Sequence, residues 1–402
     1  MRYAALMAVG AMLAPVAMAA GADGRGAVAA GAKQTAQAVK AKAAKANAAK
    51  MQAAKAQPQE ARPAEQAGRP ALPEIGPPRK LSWRLKAEDY PRTDGSTSAH
   101  PLGVLVACRL TGTRCQWAAV GGFGGLGGAT CRLLPVVRAY EPKEGERSLH
   151  GLPYLHRLRE DKVLHKGLTE RSWHAGTHGS WVNLIGGTSD LIFVCRKPSA
   201  DETKLAAEKK VAFDARPIAL DAFVFLRNVK NPVEHLSVQQ IRDIYAGRIA
   251  HWKELGGPDG PIHAYQRDRN SGSQVTMERL VMRGLAMPGG PRMIGRGMMG
   301  PYNRMRGDPR GLGFTFWYYN AYMQPDPKIR TLAVGGVAPT PETIRSRRYV
   351  YTTEVYAVTR ADEPDDSTAS RIQDWLGTPE GQAVVAESGY TPIQRTTENT
   401  NP

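Results

Sequence analysis

Residues 262–276 read Ile-His-Ala-Tyr-Gln-Arg-Asp-Arg-Asn-Ser-Gly-Ser-Gln-Val-Thr. An apolar run with strand character ends at Gln266, Arg267 follows, and four residues later comes Ser271-Gly272-Ser273. Beyond it, Met277, Leu280 and Val281 recur at helical spacing. Asn270 and Ser271 are good helix-capping types. A helix start built from small residues offers unpaired backbone N–H groups and hydroxyls, and here a fixed cation stands one turn earlier. That combination suits a compact tetrahedral oxyanion. The same residues also describe an ordinary capped helix beside an Arg, so the rest of the chain has to decide between the two.

The N-terminus has the three parts of a secretory signal peptide: Met1-Arg2-Tyr3, an apolar run from Ala4 to Val16, then Ala17-Met18-Ala19. The expected processed chain starts near Ala19, with residues 1–19 removed, because the apolar run is too short to span a membrane stably. From residue 20 to about residue 80 the chain is almost all Ala, Lys, Gln, Gly and Pro, as in Ala41-Lys42-Ala43-Ala44-Lys45. The alanine-lysine repeats carry no large apolar residue to bury, so the stretch reads as a disordered tether, stiffened by the Pro-rich sequence from Pro58 to Pro78. Between residues 21 and 80, eleven Lys and Arg stand against four Asp and Glu, leaving +7 of the total +17 in the tail. Such basicity raises the question of nucleic acid, but an exported chain without interleaved aromatic and basic patches argues against it. A solubilising linker or an arm reaching an anionic envelope surface is expected instead.

The remaining sequence is ordinary globular chain, and it alternates between two periodicities. Strand-like runs lie at Leu133–Ala139, Asp190–Cys195, Ala219–Leu226 and Val350–Thr359, and helical ones at Leu102–Leu110, Leu149–Lys162, Ser237–Tyr245, Val275–Met282 and Ser367–Glu387. That alternation indicates α/β architecture with largely buried sheets. Thr378-Pro379-Glu380 opens a final helix with cap, proline and acid in order, and Gly389 can stop it. Four cysteines, Cys108, Cys115, Cys131 and Cys195, suggest disulfides, with three possible pairings. Cys108 and Cys115 cannot bridge inside one continuous helix, but Thr111-Gly112-Thr113 can end that helix and bring them together. Gly122-x-Gly124-x-x-Gly127 matches a dinucleotide fingerprint formally, yet Cys131-Arg132-Leu133 leads into a strand-like run rather than a helix, so it reads as a loop. His174 and His178 have a zinc-like spacing but no third ligand, and Gly176 and Gly179 argue for a loop there as well. No cofactor, metal or catalytic residue is expected.

Two further segments match the Arg267–Ser273 element. Thr93-Asp94-Gly95-Ser96-Thr97-Ser98 is a polar turn of small hydroxyl residues opening into a helix, a second N-terminus with donors aimed outward. Gly176-Thr177-His178-Gly179-Ser180 stands ahead of an amphipathic helix, and Asp190 begins the apolar run Leu191-Ile192-Phe193-Val194, where a carboxylate is unusual. These segments resemble the phosphate-type substrate-binding proteins of ABC transporters, of the type II periplasmic-binding-protein fold. The resemblance extends through Asn231-Pro232-Val233, Tyr245-Ala246-Gly247-Arg248-Ile249, Trp252-Lys253-Glu254-Leu255-Gly256-Gly257 and Gly311-Leu312-Gly313-Phe314, covering about residues 88–395.

The resemblance implies two α/β lobes joined by two crossover strands that close over ligand. It places lobe one at 85–220 plus 350–402 and lobe two at 221–349, with crossovers at Ala219–Leu226 and near Arg348–Val358. It further implies a ligand set of Thr97, Ser98 and Thr177 or Ser180 from one lobe, and Arg267, Ser271, Gly272 and Ser273 from the other. Asp190 matches the family's single carboxylate acceptor. A buried carboxylate accepts the O–H of the HPO4 dianion but repels sulfate, which carries no proton at neutral pH. The sequence departs from the pattern at Arg269, where a family acid often lies, and in the stretches 111–131 and 291–306, which read as surface loops or insertions near the cleft.

The expected function is non-enzymatic binding of phosphate or a related oxyanion by an exported, periplasmic monomer that delivers it to an inner-membrane ABC permease. An alternative keeps the fold but makes the chain a cell-surface or secreted oxyanion binder, retained by its basic tail for scavenging or adhesion. Phosphatase chemistry is disfavoured, because no His or metal cluster stands at a spacing that would activate the serines.

Overall fold

A computed structural model describes residues 70–121, 130–143, 148, 151–289 and 293–393. The expected signal peptide, most of the tether and the glycine run at Gly122, Gly124 and Gly127 lie outside these residues. The linker expected over residues 20–80 gives way to packed chain by residue 70. Leu72 and Ile75 sit against the core, the Trp117 indole donates to the Pro73 carbonyl, and the Arg109 guanidinium donates to the Gly76 carbonyl.

In chain order, strand β1 (Thr93–Gly95) leads into helix α1 (His100–Thr111) and the hairpin of β2 (Arg114–Val120) and β3 (Thr130–Val136). Short helices α2 (Leu155–Glu160) and α3 (Lys166–Arg171) precede α4 (Gly176–Ile185), β4 (Leu191–Val194), α5 (Ala200–Lys209) and the long strand β5 (Phe213–Asn228). Then come β6 (His235–Leu236), α6 (Val238–Tyr245), β7 (His263–Ala264), β8 (Gln266–Arg267) and α7 (Gly272–Thr276), which runs on as a wider turn through Met282. β9 (Ile294–Gly295), α8 (Gly300–Met305), β10 (Gly311–Phe316), β11 (Ile329–Thr331), β12 (Ala333–Val334) and α9 (Pro341–Arg345) follow. The chain ends with β13 (Thr352–Arg360), α10 (Thr368–Leu376), α11 (Pro379–Glu387) and β14 (Thr391–Pro392).

The fold turns on β5, which changes partners along its length. From Phe213 to Ala222 it pairs with β13, and beyond that β4 and β1 complete one set of strands. From Phe223 to Arg227 it pairs with β10, which in turn carries β7, while β11 joins at Leu226–Asn228. One strand therefore belongs to two lobes, and the chain returns through Tyr351, whose carbonyl accepts from Phe223 N–H, into β13. This is the two-lobed, two-crossover α/β arrangement. Pro217, which has no N–H for the ladder, sits at the register shift opposite Val355 and Tyr356, where a ladder bond is already missing. Lobe two is cored by Phe223, Phe225, Phe314 and Phe316, with the Phe223 ring packed edge-on or tilted against the other three at centroid distances of 5.4–5.8 Å.

Sequence signals located most elements, and the differences have local causes. Within the described residues 151–162 of the helix expected over Leu149–Lys162, only Leu155–Glu160 is helical, since Pro153 biases its predecessor away from helix. The strand expected at Leu133–Ala139 begins three residues earlier, at Thr130. The helical run Ser367–Glu387 is two helices divided at Gly377, and Thr378 caps the final one as its sequence indicated, accepting from Gly381 N–H. Gly176 and Gly179 lie inside the first turns of α4 rather than in a loop. Of the three cysteine pairings, Cys108–Cys115 forms, with Cα atoms 6.2 Å apart. Gly112 makes it possible by ending α1 in the left-handed conformation, φ 69°. Cys131 and Cys195 are buried thiols. No helix among the described residues is long and apolar enough to cross a membrane.

Candidate functional site

β1 and β4 run parallel, Thr93 opposite Leu191 and Gly95 opposite Phe193, so their C-terminal ends open on the same side. Chain leaving β1 there supplies Ser96, Thr97 and Ser98, and chain leaving β4 supplies Cys195. Ser96 ties this corner together: its N–H donates to the Phe193 carbonyl, its hydroxyl accepts from Cys195 N–H at 3.1 Å, and it lies 2.8 Å from the Thr177 hydroxyl. Asp94 stands beneath the start of α4, accepting from Ala175 N–H at 2.7 Å, Gly95 N–H at 2.6 Å and the Asn183 amide at 2.7 Å. Burial raises its pKa, opposed by those three donors. A carboxylate at this position favours the helix start and satisfies an orphan N–H.

From the other lobe, α7 points its first turn at the same corner. Ser271 caps it by accepting from Gln274 N–H, and Asn270 turns the chain with φ 64°. A Cβ built on Gly272 would stand 2.5 Å from Thr177 Oγ1 and 3.0 Å from Cys195 Sγ. Only glycine fits, so the first turns of α4 and α7 meet head on across the two lobes. Their first N–H groups have no intrahelical acceptors.

Arg267, 5% exposed, lies behind this junction. Its backbone N–H donates to the Gln274 side chain and its Nε to the Gly295 carbonyl at 3.0 Å, which fixes the stem. The outer nitrogens are poorly matched. Nη1 reaches Ser273 Oγ at 3.5 Å and Met298 Sδ at 3.3 Å, while Nη2 reaches half-exposed Asp268 at 3.4 Å. Burial pulls the Arg267 pKa down, with Asp268 opposing. Ser273 is fully buried against this guanidinium. The 291–306 stretch, read from sequence as loop or insertion, thus supplies β9 and Met298 as the floor beneath Arg267.

The residues expected at the site divide clearly. Thr97, Ser98, Thr177, Arg267, Ser271, Gly272 and Ser273 come together at this junction. Ser98 is 1% exposed with an unpartnered hydroxyl among the described residues, and its carbonyl accepts from the Tyr390 hydroxyl. Ser180 does not join them: one turn into α4, its hydroxyl donates back to the Gly176 carbonyl at 2.6 Å. Asp190 is a correction. It lies at the N-terminal end of β4, held by the Arg92 backbone N–H and guanidinium. The junction is at the opposite end, five residues on, about 16 Å away by strand rise. The position at the open end of that strand belongs to Cys195, whose pKa burial raises. Arg269 is also outside the site, exposed and paired with Asp201. Asp201 also accepts from the Asn270 amide, and Arg196 donates to the Asn270 carbonyl, so this turn is stitched to the facing lobe.

The model of the PBP superfamily domain matches residues 174–380, a span that runs from the start of α4 through Arg267 and back across β13. The chain belongs to the PBP superfamily. Among curated proteins it is 24% identical over 227 residues to the phosphate-binding protein PstS of Borreliella burgdorferi, covering 52% of this chain and 76% of that protein. It is likewise 24% identical over 257 residues to the phosphate-binding protein PstS of Staphylococcus epidermidis, covering 61% and 77%. A putative phosphate ABC transporter substrate-binding protein from Clostridium perfringens, solved with bound phosphate, is 25% identical, with a TM-score of 0.47 over 55% of this chain and 86% of that one.

Several groups at this PBP cleft went unread in the sequence. His174 and His178, weighed there only as zinc ligands, have separate partners: His174 Nε2 lies 2.9 Å from Thr97 Oγ1 and His178 pairs with Glu202. His100 meets His174 edge-on at 5.2 Å. Burial lowers the His100 pKa to about 3 and that of His174 to about 4, with Arg132 adding to both. Tyr319, almost fully buried, hydrogen-bonds Thr130 and feels the charges of Arg267, Arg132 and Arg306. No motif singles out His100 or Tyr319, and the spacing of His174 and His178 points to the wrong partners, because these residues meet only through the packing of remote elements.

Proposed function

We propose that this chain is a non-enzymatic, exported receptor that binds phosphate between its lobes and delivers it to an ABC permease. The observation that carries the reading is the head-on meeting of the α4 and α7 first turns beside buried Arg267, whose outer nitrogens lack oxygen partners of good geometry. Two helix starts, hydroxyls from Thr97, Ser98, Thr177 and Ser273, and a forked cation form a donor-rich clamp suited to a tetrahedral oxyanion. The phosphate-binding names of the PstS relatives support the same ligand. On this reading lobe one comprises residues 85–220 plus 350–402 and lobe two residues 221–349, and closure about β5 and β13 is the binding step.

Calorimetry of the purified protein with phosphate, arsenate and sulfate tests the proposal. Binding of phosphate that drops by about two orders of magnitude in Arg267→Ala, equivalent to about 3 kcal/mol for a charge-assisted pair, is the expected result. Absence of binding to every oxyanion would refute it.

A further inference from the structure

Thr130 and Arg132 share one face of β3, and that face meets the other lobe, where the Thr130 hydroxyl donates to the Gln324 side chain at 3.2 Å. Arg132, on β3, is half-buried and has no hydrogen-bond or carboxylate partner among the described residues. A guanidinium withdrawn from water without a counter-charge is costly, so an anion beside it is the natural complement. Its surroundings are the ligand loop itself. Its charge reaches His100 and His174, and His174 holds the Thr97 hydroxyl, one residue from the unpartnered hydroxyl of Ser98. Tyr319 lies within electrostatic reach of both Arg132 and Arg267, one guanidinium from each lobe. The hairpin cannot drift from this position freely, because the Cys108–Cys115 disulfide ties the start of β2 to α1, the helix that begins at His100.

We propose that Arg132 is a ligand-binding residue, so that the cleft is a two-guanidinium clamp for a tetrahedral oxyanion of charge −2. This rests on reading the cleft as an oxyanion site. His100 and His174, held neutral, add no charge, and Asp190 is absent from the junction. The clamp therefore discriminates by matching two cations to two negative charges.

Calorimetry at about pH 8 on the full chain, using phosphate as a tetrahedral dianion and perchlorate as a tetrahedral monoanion, tests this. Arg132→Gln is expected to weaken phosphate by about tenfold or more and to shrink the phosphate-over-perchlorate ratio by a similar factor. Arg132→Lys, which keeps the charge without the fork, should recover part of both. Thermal stability of Arg132→Gln should be unchanged or higher, since an unpaired cation is removed; a merely structural Arg would lower it. Wild-type phosphate affinity and ratio in Arg132→Gln would overturn the role of Arg132 while leaving the oxyanion site intact. A wild-type protein that binds neither ion would overturn the site and the clamp together.

Discussion

Replacing Gly272 with Ala separates stability from closure. Gly272 has an ordinary negative φ at the first position of α7, so Ala adds no backbone strain and favours the helix by about 0.5–1 kcal/mol. Its methyl group, however, would stand 2.5 Å from Thr177 Oγ1 and 3.0 Å from Cys195 Sγ. Thr177 cannot simply turn away, because it is β-branched and its hydroxyl is bound to Ser96 at 2.8 Å. Reaching ordinary contact requires the two helix starts to part by about 1 Å, against van der Waals separations near 3.5 Å. A gap of that size breaks a charge-assisted hydrogen bond from one lobe, about 1.5–3 kcal/mol or roughly 10–150-fold in affinity. Phosphate titration with thermal melting in parallel checks this. A Gly272→Ala protein that melts at or above the wild-type temperature yet binds about tenfold or more weakly is the expected result. Wild-type affinity would refute the reasoning that these two turns must touch for ligand to be held.

Asp190→Asn should leave phosphate affinity within about threefold of wild type and lower the melting temperature slightly, because the partly exposed Arg92 pair contributes only about 0.5–1 kcal/mol. A tenfold loss in a titration would restore Asp190 to the site. Asp221, buried on β5, accepts from Ala222 and Tyr318 N–H groups but leaves Oδ2 unpartnered, and burial pushes its carboxyl up to about 7. A raised folded pKa gives stability that is full below the unfolded value near 4 and is lost as pH rises through about 7. The loss is at most about 4 kcal/mol for a shift of about three units. Asp221→Asn, which keeps the carbonyl acceptor without the charge, should therefore melt higher than wild type at about pH 8 and show a flatter decline between about pH 4 and 8. Equal slopes in a pH series of denaturation curves would sink this account.

Much of the fold was legible because its signals are local. Ser237 and Thr378 cap the helices they precede, and Gly112 frees the chain to join Cys108 to Cys115. The apolar runs became strands because a buried sheet demands them. Within the site, Arg267 and Ser271-Gly272-Ser273 were readable because cation, cap and helix start are contiguous in the chain. Asp190 was misread for a geometric reason: a carboxylate at the head of an apolar strand looks the same from either end of a sheet. Only the parallel pairing with β1 says that the strand's other end faces the cleft.

The sequence by itself determined that this chain builds alternating helices and strands and carries donor-rich helix starts, since periodicity, caps and small residues act over a few positions. Tertiary structure alone decided that Gly272 touches Thr177, that Arg269 pairs away from the cleft, and that Arg132, one of 54 Lys and Arg residues, lands within electrostatic reach of His174. Those outcomes depend on where β5 passes between lobes and where the hairpin lands, and such distances between remote residues are set by packing rather than by any local pattern.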